Sequence, residues 1–257
     1  MCSKRQYDLG FMLRIKGEVR EQVVSKGGRG QAVSRFQGGI IEMEVREESI
    51  TTLEEYSSIP IAFVVQSVFD VRAADDGPCG FLLAERNLDA PYVKDYDAIN
   101  EDRPSQWAKR FDTSNWGLLV ARVEGRRIGG AVVAFSTLGL DMLEGREDLA
   151  VLWDIRVLPD ARGQRIGSAL FRASETWAIS KGCSQLKVET QNNNVAACRL
   201  YERQGCLLKA VNRMAYSEFP DELQFLWYKD LSDKLPFDQQ KHPNKTAKSI
   251  WNSDQII

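Results

Sequence analysis

A turn with two glycines is the first feature of this sequence that could do chemistry. In RVLPDARGQRIGSALF, residues 156–171, a strand-like apolar run leads into Pro159, then Gly163 and Gly167, then an amphipathic helix pattern. Such a turn presents unpaired N–H groups and the positive end of a helix dipole, which suit a phosphate. Neither GK[ST] nor GxGxxG is present, which disfavours a nucleoside triphosphate or a dinucleotide. An ordinary strand-to-helix turn with packing glycines is the alternative.

Histidine and cysteine usage narrows the possible reactions. The one histidine, His242, lies in a polar C-terminal stretch, which disfavours Ser-His dyads, Cys-His dyads and His-rich zinc sites. The five cysteines are scattered without CxxC spacing, so we interpret them as reduced packing residues and expect no metal site. Proton transfer must then use carboxylates, tyrosine, lysine or the backbone.

The elements that would position this turn follow from the apolar patterns. Paired strands are predicted at 62–73 and 80–88 around a turn, followed by a short helix at 102–111 and a hairpin at 115–135. Strand, helix, strand and helix then follow at 148–159, 164–182, 184–191 and 195–205, and the last two runs, 207–216 and 223–231, are predicted strands. This mixed order indicates an α/β domain.

Charge and composition divide the chain into three parts. Residues 1–40 carry eight Lys/Arg against three Asp/Glu and are glycine-rich, so we predict a flexible basic arm. Residues 233–257 are predicted to be a loosely held polar tail. Residues 41–232 hold 22 basic and 30 acidic residues, and this excess of acid disfavours nucleic acid and favours cationic substrates. An acidic surface that serves only solubility is the alternative.

No apolar run approaches the roughly 18 residues that span a bilayer. The first 20 residues also lack the continuous apolar core of a secretory signal. We therefore expect a cytoplasmic protein with no membrane partner.

Two motifs in combination resemble the GNAT N-acetyltransferase superfamily. Arg162, Gly163, Gln164, Arg165, Ile166 and Gly167 resemble its Arg/Gln-x-x-Gly-x-Gly/Ala turn, and Asn194, Ala197, Leu200 and Tyr201 resemble its Asn-x-x-Ala-x-x-Leu-Tyr helix. Arg165 stands where the family usually has glycine. Further segments, among them VLWDIRVLPDARG and DELQFLWYKDL, are similar to the streptothricin acetyltransferase group. The resemblance implies a central, mostly antiparallel sheet with a splayed parallel strand pair and flanking helices.

The resemblance also implies acetyl-CoA as co-substrate and a set of residues that bind it. The pantetheine arm would lie along residues 153–158 and the pyrophosphate on the glycine turn. The implied cofactor-binding residues are Ile155, Arg156, Val157, Arg162, Gly163, Gln164, Arg165, Ile166, Gly167, Ser168, Asn194 and Ala197. Asn194 could equally be a helix N-cap.

Three side chains are candidates for proton transfer. An alkyl amine is mostly protonated at neutral pH, so a carboxylate or a water held by a carboxylate must take its proton. Asp154 and Glu189, on the two strands expected to flank the site, are the candidates. Either could instead bind the substrate's ammonium group or sit in a structural ion pair. Tyr201 is the candidate donor to the departing thiolate, with a core tyrosine as the alternative.

Together these features predict an N-acetyltransferase that acts on a cationic small-molecule amine, with a streptothricin-like antibiotic as the best match. A GNAT enzyme for a protein, peptide or metabolite amine is the second hypothesis. A CoA-binding regulatory module without turnover is the third. A homodimer is possible on this interpretation, and no nucleic-acid partner is expected.

Overall fold

The computed structural model describes residues 11–15, 41–73, 81–99 and 102–234. Its strands are β1 (Phe11–Ile15), β2 (Ile41–Glu48), β3 (Phe63–Ala73), β4 (Phe81–Lys94), β5 (Gly117–Val123), β6 (Arg126–Ala134), β7 (Leu149–Val157), β8 (Gln185–Gln191), β9 (Leu207–Asn212) and β10 (Gln224–Asp230). Its α-helices are α1 (Leu53–Ser57), α2 (Pro104–Arg110), α3 (Ile166–Ser180) and α4 (Val195–Arg203).

Eight of these strands form one sheet in the order β1-β2-β5-β6-β7-β8-β10-β9, while β3 and β4 pair in a separate two-stranded sheet. Every neighbouring pair in the large sheet is antiparallel except β7 and β8, which are parallel. The connection between this parallel pair is α3, as a parallel crossover requires. The predicted fold, a mostly antiparallel sheet with one parallel pair and flanking helices, is confirmed.

The parallel pair separates part of the way along its length. The described ladder runs from Leu149 opposite Gln185 to Leu152 opposite Val188 and stops there. At the same point β7 carries a bulge, because Val132 and Val133 of β6 face Asp154 and Leu152, which leaves Trp153 as the extra residue. A bulge bends a strand and increases its twist, so β7 turns away from β8 just where the ladder ends.

Apolar residues cover both faces of the sheet. On one face α3 contributes Phe171 and Trp177 to a core that also includes Tyr201 of α4. The opposite face packs against α1 and α2 through Tyr56 and Trp107. Side chains alternate between these two cores along β5, β6 and β7, as the two-residue period of a strand requires.

One glycine allows a close approach on the α1 face. A Cβ atom on Gly130 would lie 2.7 Å from the ring of Tyr56 and 3.0 Å from the carbonyl oxygen of Leu119. Tyr56 can therefore reach across β6 toward β7 only because residue 130 has no side chain.

The predicted elements between residues 62 and 231 all occur, but β4 extends six residues past its predicted end and β9 stops four residues before it. Three elements, β1, β2 and α1, were not predicted; in β2 the buried apolar residues Met43 and Val45 alternate with charged ones. Within the predicted basic arm, Phe11–Ile15 forms a strand that pairs with β2, and the rest of 1–40 lies outside the described residues. Most of 233–257 also lies outside them, so the domain boundaries stay a prediction. No helix in the described part of the chain is long and apolar enough to cross a membrane.

Candidate active site

The separation of β7 and β8 opens a cleft of about 1490 Å³. Its lining comes from both strands, the starts of α3 and α4, and the chain near β3 and α2. The lining includes Phe63, Tyr96, Trp107, Trp153, Asp154, Ile155, Arg156, Val157, Arg162, Gly163, Arg165, Ile166, Gly167, Ser168, Glu189, Gln191, Asn194, Ala197 and Tyr201. All the candidate residues from the sequence are in this set except Gln164, whose side-chain amide donates to the carbonyl of Asp160.

The glycine turn enters α3 through two left-handed residues. Gly163 has φ +78° and Arg165 has φ +63°. Glycine is common at the second position in the family because this conformation is strained for residues with a side chain, and Arg165 adopts it here. No side chain caps the first turn of α3, and Ile166, Gly167 and Ser168 line the cleft. Their N–H groups have no carbonyl partner within the helix, so they and the positive end of the helix dipole face the cleft, as an anion site there would require.

Arg162 fixes the start of this turn. Its guanidinium donates to three backbone carbonyls, those of Val157 (3.0 Å), Ala62 (2.9 Å) and Pro60 (3.2 Å). These bonds tie the turn to the end of β7 and to the segment before β3. The Arg162 side chain therefore stabilises the conformation of the turn through these carbonyls.

Helix α4 and its N-cap bring two further predicted residues, Asn194 and Tyr201, to the cleft. Asn194 Oδ1 accepts a hydrogen bond from the N–H of Ala197 at 3.2 Å, so Asn194 is the N-cap of α4. Tyr201 is buried, with its ring centroid 6.0 Å from that of Phe171 and 6.5 Å from that of Trp227. Burial raises the pKa of the Tyr201 phenol, so its hydroxyl is protonated at neutral pH.

The Asp154 carboxylate is held in a buried ion pair. Arg156 donates from Nε to Oδ1 at 2.9 Å and from Nη2 to Oδ2 at 2.7 Å, and the Tyr56 hydroxyl also donates to Oδ1. On the other edge of the guanidinium, Nη1 of Arg156 donates to Asp97 Oδ2 at 3.0 Å and to the carbonyl of Ile59 at 3.1 Å. The Asp154 and Arg156 side chains are only 7% and 1% exposed. Asp154 therefore has the surroundings of a structural ion pair.

Glu189 is in a different environment. Its Oε1 accepts from the Tyr216 hydroxyl at 2.6 Å and its Oε2 accepts from Gln224 Nε2 at 2.8 Å. Both donors are neutral, and no lysine or arginine in the described ranges forms an ion pair with Glu189. The residue is half-buried and lines the cleft. Of the two candidate bases, Glu189 has the carboxylate that is not neutralised by a cation.

Several residues of the site were not found from the sequence. Tyr96 donates to Gln191 Oε1, and Gln191 Nε2 donates to the Tyr216 hydroxyl at 2.8 Å. Gln191 follows Glu189 by two residues in a strand and so shares its face, a signal that could have been used. Tyr216 lies in a segment predicted as a strand, and nothing in the sequence indicates that its hydroxyl reaches β8.

An aromatic wall also borders the cleft. Trp153 lies 6.3 Å from Trp107 and 5.5 Å from both Phe111 and Trp116, measured between ring centroids. Trp107 and Trp153 line the cleft itself. The bulge in β7 places Trp153 at this point, a consequence of strand pairing that the local sequence does not reveal.

Comparison with known proteins gives the family. The acetyltransferase (GNAT) family pattern matches residues 75–206. A streptothricin acetyltransferase of Escherichia coli is 30% identical over 169 residues, which cover 65% of this chain and 84% of that protein. A thialysine N-epsilon-acetyltransferase of Bos taurus is 31% identical over 139 residues, 52% of this chain and 82% of that protein. This chain belongs to the GNAT acetyltransferase family, and it is an enzyme of the acetyltransferase class.

A solved structure supports the fold independently. A Bacillus anthracis str. Ames protein described as a candidate streptothricin acetyltransferase, in complex with acetyl coenzyme A, superimposes with a TM-score of 0.59 at 21% identity. The match covers 73% of this chain and 99% of that one. The likeness at this identity concerns the fold.

Proposed function

We propose that the protein transfers an acetyl group from acetyl-CoA to an amine of a cationic small molecule of the streptothricin type. One observation supports the proposal most strongly: the cleft has a carboxylate without a cationic partner among the described residues, Glu189, on one face of the sheet, and a protonated phenol, Tyr201, on the other. Tyr201 packs in the α3 and α4 core, whereas strand alternation directs Glu189 away from that core, which contains its neighbour Val188. A proton acceptor and a proton donor thus stand on opposite sides of the strand pair.

The residues present fit acetyl-CoA. Among the described strands, β7 pairs only with β6 beyond Leu152, so the edge of residues 153–157 that faces β8 has backbone groups for the amides of an extended pantetheine arm. Ile155 and Val157 would make these backbone contacts, and the N–H groups of 166–168 would hold the pyrophosphate. Arg156 would contribute through its backbone alone, since its side chain is committed to Asp154 and Asp97.

The chemistry assigned to the chain consists of three steps. Acetyl-CoA supplies the acyl group as a thioester. Glu189 takes a proton from the acceptor ammonium and so produces a nucleophilic amine. The N–H of Ile155 donates to the thioester oxygen where negative charge develops. The amine attacks the thioester carbonyl, and as the C–N bond forms and the C–S bond breaks, Tyr201 gives its proton to the departing thiolate. The acetylated nitrogen then gives its second proton to the Tyr201 phenolate, so one proton of the ammonium ends on Glu189 and one, through Tyr201, on the CoA thiol.

The negative charge of the domain and the aromatic wall of the cleft both favour a cationic acceptor. Residues 41–232 carry eight more acidic than basic residues, which attracts cations at a distance. Trp107 and Trp153 add aromatic rings, on which an ammonium group binds favourably. The similarity to streptothricin acetyltransferases supports this class.

A free amino acid or other metabolite amine is the second candidate, favoured by the similarity to a thialysine N-epsilon-acetyltransferase. A panel assay separates the two. The enzyme is incubated with acetyl-CoA and, in turn, streptothricin, thialysine, polyamines, aminoglycosides and a lysine peptide, and kcat/KM is compared at low and high salt.

We expect streptothricin to rank first and its kcat/KM to fall as salt rises, because exposed charges are screened over roughly 8–10 Å at physiological ionic strength. Preference for thialysine would favour the second candidate. Preference for the peptide, or for an uncharged amine without salt dependence, would overturn the proposal. Binding of acetyl-CoA with no turnover on any amine would indicate a regulatory module.

A further inference from the structure

The loop between β9 and β10, residues 213–223, contacts side chains that line the cleft and is anchored by several interactions. Lys94 at the end of β4 donates to Glu222 Oε1 at 2.6 Å, and both side chains are only 12% exposed. The Lys94 ammonium also lies 4.1 Å from the centre of the Phe219 ring. Asn192 accepts the N–H of Leu223 at 2.9 Å. The loop is therefore held at both β4 and the end of β8.

This anchored loop delivers the Tyr216 hydroxyl to Glu189. Gln191 donates to the same hydroxyl oxygen, which leaves the phenolic proton directed at the carboxylate. Gln224 donates to the other carboxylate oxygen from β10. A carboxylate oxygen has two acceptor sites, so each oxygen of Glu189 keeps one for an incoming ammonium proton.

We infer that Tyr216 is a positioning residue, which orients the Glu189 carboxylate toward the acceptor amine. The inference rests on the proposed function, in which Glu189 is the base. Neutral donors suit this task, because a lysine or arginine partner would compete with the substrate's ammonium group for the carboxylate. Asp154 shows the contrasting case, with Arg156 on both of its oxygens.

The titratable groups that face Glu189 agree with this role. Burial raises the pKa of Tyr216, and the Glu189 charge raises it further, so the phenol stays protonated and remains a donor. Tyr96, in the turn after β4, also has a raised pKa, chiefly through burial, and is neutral at the same pH. Gln224 of β10 does not titrate. Glu222 of the loop is neutralised by Lys94.

The test replaces Tyr216 by phenylalanine and compares kcat and KM with those of the wild type. The ring remains but the hydroxyl that orients the carboxylate is lost, so kcat falls about tenfold, as expected for the loss of one hydrogen bond to a charged group. KM for acetyl-CoA does not change. Tyr92→Phe is the matched control, because the Tyr92 hydroxyl accepts from Asn193 at 3.2 Å and does not contact Glu189.

A second variant keeps the inference testable if Tyr216→Phe is unstable. Gln224→Met removes the other donor and should also lower kcat while KM for acetyl-CoA stays at the wild-type value. Wild-type kcat in both variants would overturn the positioning role. Glu189→Gln distinguishes this failure from failure of the proposed function: wild-type turnover of that variant would remove Glu189 as the base altogether.

Discussion

Replacement of Asp154 by asparagine separates a structural role from a catalytic one. The substitution keeps the shape of the side chain and removes its charge from a pair with Arg156. The Arg156 guanidinium, 1% exposed, would then keep Asp97 as its one carboxylate partner at 3.0 Å. If Asp154 is structural, the variant loses stability and retains its chemistry.

The decrease in the free energy of unfolding can be estimated from the burial of the Asp154–Arg156 ion pair. Breaking a buried ion pair by removal of one partner costs about 3–5 kcal/mol. Asp97 remains and the amide oxygen still accepts a hydrogen bond, so we expect about 3 kcal/mol, the lower end of that range. For a domain of this size each kcal/mol lowers Tm by about 2–4 °C, which gives a fall of about 6–12 °C. Asp70→Asn is the control, since its pair with Arg86 is exposed and such pairs contribute about 0–1 kcal/mol.

The assay measures Tm by calorimetry and kcat well below the Tm of the variant. We expect Asp154→Asn to turn over within about tenfold of the wild type, while Glu189→Gln retains its Tm and loses about 10²–10⁴-fold in kcat. The opposite pattern, with Tm unchanged and turnover lost in Asp154→Asn, would refute the reasoning and make Asp154 the base.

Three further outcomes are expected. Acetyl-CoA at 100 times its Kd should stabilise the protein by about 2.7 kcal/mol, and an unchanged Tm with no heat of binding in titration calorimetry would count against the cofactor assignment. Tyr201→Phe should bind acetyl-CoA normally but lose about 10²–10⁴-fold in turnover when chemistry is rate-limiting, and since burial raises the pKa of this phenol, the wild-type pH profile should show no alkaline limb from it below about pH 10. Gly130→Ala should cost about 1–3 kcal/mol in denaturant unfolding, because the new methyl group would lie 2.7 Å from the Tyr56 ring; an unchanged midpoint would show that Tyr56 can move away.

The parts of the fold that local patterns specify could be predicted from the sequence. The amphipathic pattern of α3, the glycines of its N-terminal turn and the asparagine at the start of α4 are all local signals, and each was placed correctly. The strand β2 was not predicted, because its buried residues Met43 and Val45 alternate with charged residues that also suit a surface segment.

The hydrogen-bond partners of the site carboxylates could not be predicted from the sequence. Asp154 and Glu189 are similar as carboxylates on neighbouring strands, and only the structure shows that Arg156 neutralises the first while Tyr216 binds the second. Residues 156 and 154 share a strand face, so the Asp154 pair had a local signal. The contact between Tyr216 and Glu189 joins positions 27 residues apart through a loop, and no periodicity predicts it.

Product analysis with a single acceptor tests the proposed acetyl transfer most directly. Purified enzyme is incubated with acetyl-CoA and streptothricin, the released CoA thiol is quantified, and the antibiotic is analysed by mass spectrometry. We expect one acetyl group on a streptothricin amine for each CoA released. In Glu189→Gln we expect neither CoA release nor acetylated streptothricin. CoA release without acetylated streptothricin, or equal product formation by Glu189→Gln, would contradict the proposed acetyl transfer.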